Sequence, residues 1–440
     1  MENTLNQTPS ANRTHIGFFG RMNAGKSSLI NAFASQQVSI VSDTAGTTTD
    51  VVHKSMEIHG IGPCVLLDTA GLDDSGELGQ LRADAARKAA DRCDIAVMVF
   101  EADNALSGDL SQDIAEEKAW ISRFRKRGIP VIAVLNKADL ILAADADSKE
   151  VASAADTSSE ADSDAAEAQR RSLSDALDMP VLLCSAVTGQ GIQELKDAMI
   201  RAMSQAEKKR WITGNLVQEG DSVLLVMPQD IQAPEGRLIL PQVQTIRELL
   251  DRKCVVTCAT TDQLDTALAV MKQPPKLIIT DSQIFDLVYQ KKPAESLLTS
   301  FSVLFAAYKG DIRYYIESAE TISRLNENSK VLIAECCTHA PLEEDIGRVK
   351  IPRLLRKKAG EGLTVDITAG ADFPEDLSSY DLVIQCGACM FNRKHVMARI
   401  DRAKQAGVPM TNYGVTIACI KGILDKVETG DPDFPGKDRK

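Results

Sequence analysis

The sequence predicts an α/β protein whose phosphate-loop domain is followed by two further α/β domains with parallel sheets. Three observations carry this. Short apolar runs of four to six residues recur along the chain, and amphipathic patterns of helical period alternate with them. Several of these runs end abruptly in glycine-rich or polar loops, as strands do when a ligand crevice lies beyond their carboxyl ends. At roughly 150 residues per domain, 440 residues allow about three domains, expected at 1–206, 207–290 and 291–440.

Composition narrows the class. The chain is 44% apolar and 25% charged, an ordinary globular balance. No apolar run reaches the roughly 18 residues of a membrane span, and 1–14 lacks the basic and apolar segments of a signal peptide. Ten cysteines over this length are not a small disulfide scaffold, so a reduced, cytoplasmic protein is expected. The net charge of −12 and 4% aromatics argue against nucleic-acid binding. Much of the acidity sits in 143–168, where eight acids face one base (Lys149) among alanines and serines. Such a segment buries too little apolar area to offset its ordering entropy, so a flexible or loosely helical insertion is expected there.

Taken in order, His15–Phe19 reads as a buried strand, followed by Gly20-Arg-Met-Asn-Ala-Gly25-Lys26-Ser27 and an amphipathic helix from Ser28. This is the phosphate-binding pattern G-x-x-x-x-G-K-[ST] in its strand-loop-helix setting. Glycines let backbone N–H groups converge on phosphate oxygens, and the helix N-terminus adds its positive end. Gly20, Asn23, Ala24, Gly25, Lys26, Ser27 and Ser28 are the expected nucleotide contacts. Lys26 would neutralise the β- and γ-phosphates, and the Ser27 hydroxyl would ligate Mg²⁺. The strand Val65–Leu67 ends in Asp68-Thr-Ala-Gly71, placing Asp68 by the Mg²⁺ shell and the Gly71 N–H by a γ-phosphate. The strand Val131–Leu135 ends in Asn136-Lys137-Ala-Asp139. A carboxylate there accepts from guanine N1–H and the N2 amino group, two donors that adenine lacks. After the strand Val181–Cys184, Ser185-Ala186 supplies backbone for guanine O6. Four such elements in this order imply a GTPase binding GTP and GDP.

The order resembles the translation-factor-like GTPases, in the branch of Era and the tRNA-modification GTPase MnmE. Asn23 stands where potassium-activated members carry Asn, and Asp43-Thr-Ala-Gly-Thr47-Thr48-Thr-Asp50 resembles their switch I. The resemblance implies Thr48 as a second Mg²⁺ ligand and Asn23 as a K⁺ ligand, with Lys26, Asn23 and Thr48 as the catalytic set. Leu72 stands where Ras-like enzymes place a water-orienting Gln, so hydrolysis should be slow unless K⁺, dimerisation or a partner completes the site. Asp73, Asp74 and Glu77 could assist, or could be an ordinary solvated loop.

The GTPase should end near Ala206, after a helix over Gln193–Met203. In the middle region, strands at Ser222–Val226, Cys254–Thr257 and Lys276–Thr280 alternate with helices at Gln242–Arg252 and Asp262–Met271. It holds no acid-base pair or metal spacing, and Cys254 and Cys258 read as buried structural thiols. A connector or dimerisation module is expected.

In the last region the strand Val331–Ala334 runs into Cys336-Cys337-Thr-His339, and Asp381–Gln385 into Cys386-Gly-Ala-Cys389. C-x-H, a gap of 46 residues and C-x-x-C should converge on one crevice at the strands' carboxyl ends. Gly387 would permit the tight loop. Buried structural thiols, a structural Cys₃His zinc site and an iron–sulfur cluster on three thiolates all fit this spacing, with Cys337 taken as the ligand and Cys336 as strand-face core.

Over its whole length the chain resembles the [FeFe]-hydrogenase maturation GTPase family (HydF). The likeness covers the MnmE-like GTPase, a small α/β dimerisation domain and Cys337-Thr-His339…Cys386-Gly-Ala-Cys389. It implies a [4Fe–4S] cluster on Cys337, Cys386 and Cys389, with an exchangeable fourth position for which His339 is a candidate. Gln385 stands where some members have a further His, and the acidic insertion is a second departure. The resemblance further implies a homodimeric scaffold carrying a di-iron precursor, with the radical-SAM maturases HydE and HydG and apo-[FeFe]-hydrogenase as partners. Two other readings compete: an RNA- or ribosome-associated, K⁺-dependent switch with a zinc module, and a redox or sulfur-transfer protein using the Cys386/Cys389 dithiol. The run Arg348, Lys350, Arg353, Arg356, Lys357, Lys358 is either a solvated helix face or a landing site for an acidic partner.

Overall fold

A computed structural model describes residues 10–36, 40–44, 52–72, 77–102, 114–140, 160–206, 210–228, 238–336, 345–370 and 372–431. The chain forms two compact units, Met1–Lys208 and Lys209–Lys440.

The first unit is built on a seven-stranded sheet in the order β2-β3-β4-β1-β5-β6-β7. Its strands are β1 (Thr14–Phe19), β2 (Ile40–Thr44), β3 (Val52–Ile58), β4 (Gly62–Asp68), β5 (Ile95–Glu101), β6 (Val131–Asn136) and β7 (Val181–Leu183). β3 runs antiparallel to β2 and β4, and every other pairing is parallel. β1 and β5 are buried almost from end to end, because helices cover both faces of a parallel sheet. One face packs Leu29, Ile30 and Phe33 of the helix Lys26–Gln36 with Leu195 and Met199 of the helix Ile192–Ala206. The other packs Phe19 against Phe124, ring centroids 4.9 Å apart, beneath the helix Ala115–Lys126. Residues 160–168 of the expected acidic insertion begin an 18-residue helix, Glu160–Leu177, that buries Ala166, Leu173 and Leu177. The apolar anchor that 143–168 lacks is supplied by the residues after it; 141–159 lie outside the described residues.

The second unit contains two four-stranded parallel sheets. The first has the order β11-β10-β8-β9, from β8 (Ser222–Val226), β9 (Val255–Ala259), β10 (Leu277–Thr280) and β11 (Leu297–Ser300). It reaches beyond residue 290, since β11 pairs in parallel along β10. The second sheet has the order β13-β12-β14-β15, from β12 (Lys330–Ala334), β13 (Thr364–Thr368), β14 (Leu382–Gln385) and β15 (Met410–Asn412). A continuous apolar core joins the two sheets, running from Leu224 and Ile278 through Tyr315 to Ile333 and Ile384. The chain also returns to the first sheet late, where the Glu428 N–H donates to Leu298 O at 3.0 Å. Cys254 is buried, but Cys258 is exposed because β9 is an edge strand, correcting the expectation that both thiols are core.

Candidate functional site: a phosphate loop and a thiol crevice

β1 lies between β4 and β5, so the loop leaving its carboxyl end opens into the crevice between diverging connections. Gly20 has φ +147°, and a Cβ there would lie 2.2 Å from Val99 O, so the loop is closed to any side chain at that point. Gly25 has φ +84°, and its missing Cβ leaves room for the Asn136 amide. Asn23, without that licence, also takes φ 64° and is exposed at the loop tip. Lys26 is 6% exposed; its Nζ donates to Gly20 O at 3.0 Å and Arg21 O at 2.7 Å, folding back over the loop it serves. Arg21 in turn pairs with the buried Glu117 at 2.7 Å, a tether from the phosphate loop that sequence reading missed. Nothing in the order of residues brings positions 21 and 117 together.

Ser27 Oγ donates to Asp68 Oδ2 at 2.5 Å. Burial pushes the Asp68 carboxyl above the usual carboxylate range, a rise opposed by Ser27 and the Lys26 charge. Its Oδ1 is buried with no hydrogen-bond partner among the described residues. An orphaned carboxylate oxygen beside a serine hydroxyl is a donor set that fits Mg²⁺. Thr48 lies outside the described residues, as do Asp73 and Asp74, and for Glu77 only the backbone is described. Gly71 is buried, and the next residue, Leu72, packs into the core with its N–H on Gly20 O at 3.3 Å.

The end of the site expected to read the base is wired through Asn136, 1% exposed. Its Nδ2 donates to Ala24 O at 3.0 Å, and its Oδ1 accepts from the Ala186 N–H at 3.2 Å. Asn136 therefore joins the phosphate loop to the Ser185-Ala186 loop. Asp139 Oδ1 accepts from Ser185 Oγ at 2.5 Å, and Ser185 Oγ accepts from the Thr188 N–H at 3.2 Å, which fixes the carboxylate's orientation. Lys137, at φ 64°, pairs with Glu101 at 2.5 Å.

In the second unit, neighbouring β12 and β14 bring Cys336 and Cys386 together beyond their carboxyl ends. Cys386 Sγ accepts from the Cys336 N–H at 3.1 Å and the Ala388 N–H at 3.4 Å. A hydrogen bond from the Cys336 thiol, with those N–H groups, holds the Cys386 thiol below its ordinary value despite burial. Cys336 is 5% exposed, but it is more than apolar filler: its Sγ accepts from Gln385 Nε2 at 2.9 Å and lies 3.9 Å from Arg399 Nη1. Cys389 is half-buried on the same loop. The turn's left-handed residue is Ala388, at φ 51°; Gly387 has no positive φ, which corrects the expected role of that glycine. Lys309, 3% exposed, pins the turn by donating to Ala388 O at 2.8 Å, Cys389 O at 3.3 Å and Phe391 O at 2.8 Å. Burial brings this ammonium down to about 8.

Cys337 and His339 lie outside the described residues, and among the described residues no group of three His, Cys, Asp or Glu side chains could hold a metal. Two thiols on a tight loop, with N–H donors and buried cations beside them, nevertheless make a donor set that suits one side of an anionic iron–sulfur centre. Sequence reading missed Lys309 and Arg399. The former ends the otherwise apolar helix Phe301–Lys309, an available signal, whereas Arg399 is one of several cations in the helix Arg393–Gln405. Half of the basic run is engaged locally: Arg348 pairs with Glu335 at 2.9 Å, Lys350 donates to Gln283 at 2.9 Å and Arg356 to Leu363 O at 3.4 Å. Arg353, Lys357 and Lys358 face solvent.

Comparison with known proteins divides the chain similarly. Residues 15–137 match the 50S ribosome-binding GTPase family and 81–205 the elongation factor Tu GTP binding domain. Residues 212–310 match the hydrogen maturase F dimerization domain and 313–428 its tetramerization domain. The tRNA modification GTPase MnmE of Ralstonia nicotianae is 37% identical over 143 residues, 31% of this chain and 30% of that protein. MnmE of Endomicrobium trichonymphae is 36% identical over 221 residues, 48% of this chain and 40% of that protein. GTPase Der of Wolinella succinogenes is 30% identical over 208 residues, 47% and 38% of the two chains. The chain thus spans 30% to 40% of the length of these relatives. Among solved structures, the G domain of the T. maritima FeoB iron transporter aligns with a TM-score of 0.28 and 19% identity, covering 43% of this chain and 99% of that one. An MnmE-like GTPase domain stands ahead of both domains named for hydrogen maturase F, and in this combination the chain matches the hydrogen maturase F family.

Proposed function

We propose that this protein is a GTP-hydrolysing scaffold that holds a [4Fe–4S] cluster and delivers the di-iron subcluster precursor to apo-[FeFe]-hydrogenase. The observation that carries the reading is the meeting of Cys336, Cys386 and the C-x-x-C turn beyond β12 and β14, inside the region matching a hydrogen maturase F domain. Cys337, Cys386 and Cys389 would hold the cluster, with His339 as a candidate fourth ligand. A cubane fixed by three thiolates offers one exchangeable iron position, the lability that a carrier needs and a closed zinc site lacks. The radical-SAM maturases HydE and HydG are the proposed donors, and the cytoplasm the proposed location. The domain descriptions name dimerization and tetramerization, which supports a homo-oligomer. The downstream matches do not favour the RNA-associated alternative.

In the GTPase unit, Lys26 and the backbone N–H groups of the loop would bind the phosphates, while Ser27 and Asp68, with Thr48, would hold Mg²⁺. Mg²⁺ supplies charge neutralisation across the β- and γ-oxygens. Asp139 would read guanine, and Asn23 would hold K⁺. With Leu72 buried, no side chain at that position orients water, so turnover relies on assistance from elsewhere.

The test is iron, zinc and sulfide analysis of anaerobically purified protein, with EPR after dithionite reduction. Iron and sulfide near four per chain, with a cubane signal lost in Cys386→Ser and Cys389→Ser, is the expected outcome. Stoichiometric zinc with no iron, even after anaerobic reconstitution, would sink the carrier reading.

A further inference from the structure

Two basic side chains are buried beside the thiols. Lys309 is 3% and Arg399 2% exposed, and neither has a carboxylate partner among the described residues. Lys309 Nζ is held by two carbonyl oxygens of the C-x-x-C turn and by that of Phe391 just after it. Arg399 donates to Gly370 O at 2.6 Å and Gln385 Oε1 at 3.3 Å, and its Nη1 lies 3.9 Å from Cys336 Sγ. Its guanidinium lies over Phe373 and Phe391, 4.9 and 4.8 Å from their centroids, and its Nε has no hydrogen-bond partner among the described residues. Among the described residues, Glu335 pairs with Arg348 and Asp311 with Lys404.

Carbonyl dipoles and ring faces offset only part of the cost of desolvating a cation. A pair kept buried without an acid among the described residues implies a compensating negative charge within a few ångströms. Among the described residues, the groups on hand that can supply it are the sulfurs of Cys336, Cys386 and Cys389. We propose that Lys309 and Arg399 are the counter-charges of the anionic metallocentre held at this crevice, and that they set its reduction potential as positioning residues touching no iron. Reduction adds negative charge to the centre, and buried positive charge beside it stabilises the reduced form. The proposal rests on the cluster reading above, and its test is arranged so that either can fail visibly.

Full-length wild type, Lys309→Met, Arg399→Gln and Arg399→Lys are reconstituted anaerobically, assayed for iron and sulfide, and titrated by EPR-monitored redox potentiometry. Met retains the length of Lys309 without its charge, and Lys retains the charge of Arg399 without its fork. The expected result is near-wild-type iron in all four. Midpoints shift to more negative potential in the two neutral variants, and Arg399→Lys stays close to wild type. Neutral variants with full iron and an unchanged midpoint would overturn the proposal while leaving the cluster reading intact. An Arg399→Lys midpoint displaced as far as that of Arg399→Gln would also overturn it, since geometry rather than charge would then be the cause. Loss of iron from all three variants would assign these residues to loop architecture alone and refute a charge role. Zinc without iron in the wild type would bring down the cluster reading and, with it, this inference.

Discussion

Asp68 is kept as a carboxylate at a cost to the fold. Burial raises its pKa, so it contributes most to stability when protonated, below the usual carboxylate value, and that contribution is lost as pH rises through the raised folded value. On this argument the carboxylate, with one oxygen orphaned among the described residues, would destabilise the metal-free protein at neutral pH and be relieved by a bound cation. Asp68→Asn is therefore expected to raise the metal-free denaturation midpoint and to flatten its decline with pH above the carboxylate range. It should also weaken Mg²⁺-dependent GTP binding by at least about 10-fold, roughly 1.4 kcal/mol. Thermal melts with and without Mg²⁺, together with nucleotide titration, read both effects; an Asn variant less stable than wild type in EDTA would refute the argument. The identity of such residues is legible in the sequence because phosphate and guanine recognition demand fixed types at fixed spacing. What Asn136 does with its amide is not legible, since its partners, Ala24 and Ala186, are distant in the chain and meet only in the sheet. Cys336, Lys309 and Arg399 are hidden for the same reason.

Elements in the second unit are held by a few buried polar clasps as well as by apolar packing. Glu248, on the helix Leu240–Asp251, is 8% exposed and accepts from the Ile212 and Thr213 N–H groups and from Thr213 Oγ1, the last at 2.6 Å. Arg252, just past the helix, donates to Thr213 Oγ1 at 2.8 Å and Gly214 O at 2.9 Å, so 212–214 is gripped by two side chains. Glu248→Ala leaves two buried N–H groups without acceptors, at about 1–3 kcal/mol each. Urea denaturation should show a loss of that order, and hydrogen exchange at 212–214 should accelerate before the rest of the unit does. An unchanged midpoint with unchanged exchange there would show the clasp to be incidental. The strands were the readable elements: continuous apolar runs such as Ser222–Val226 mark a sheet covered on both faces. The antiparallel β2 and β3, and the sheet to which β11 belongs, depend on pairing partners that no local pattern encodes. Exposure along β9 depends likewise on its being an edge strand.

Each compact unit has its own core and holds one of the two proposed chemistries, which places a testable limit on how GTP could act. The groups that would bind phosphate and guanine, from Gly20 to Ala186, lie within Met1–Lys208, and Cys336, Cys386, Cys389, Lys309 and Arg399 lie within Lys209–Lys440. No residue proposed for one chemistry belongs to the other unit, so the integrity of each site should survive destruction of its counterpart. Lys26→Ala is expected to cut GTP affinity by about 100-fold, roughly 2.7 kcal/mol for a lost charge-assisted contact, while iron per chain and the EPR line shape stay at wild-type values. Cys389→Ser is expected to lose the cubane signal while GTP hydrolysis stays within about twofold, a difference of roughly 0.4 kcal/mol. Any GTP effect on cluster delivery would then act through arrangement of the units or their partners, because the ligand sets are separate. If Lys26→Ala instead lowered iron loading, or Cys389→Ser slowed hydrolysis well beyond twofold, the two units would be energetically coupled at the level of the sites, and the nucleotide would have to be treated as a ligand of the cluster state.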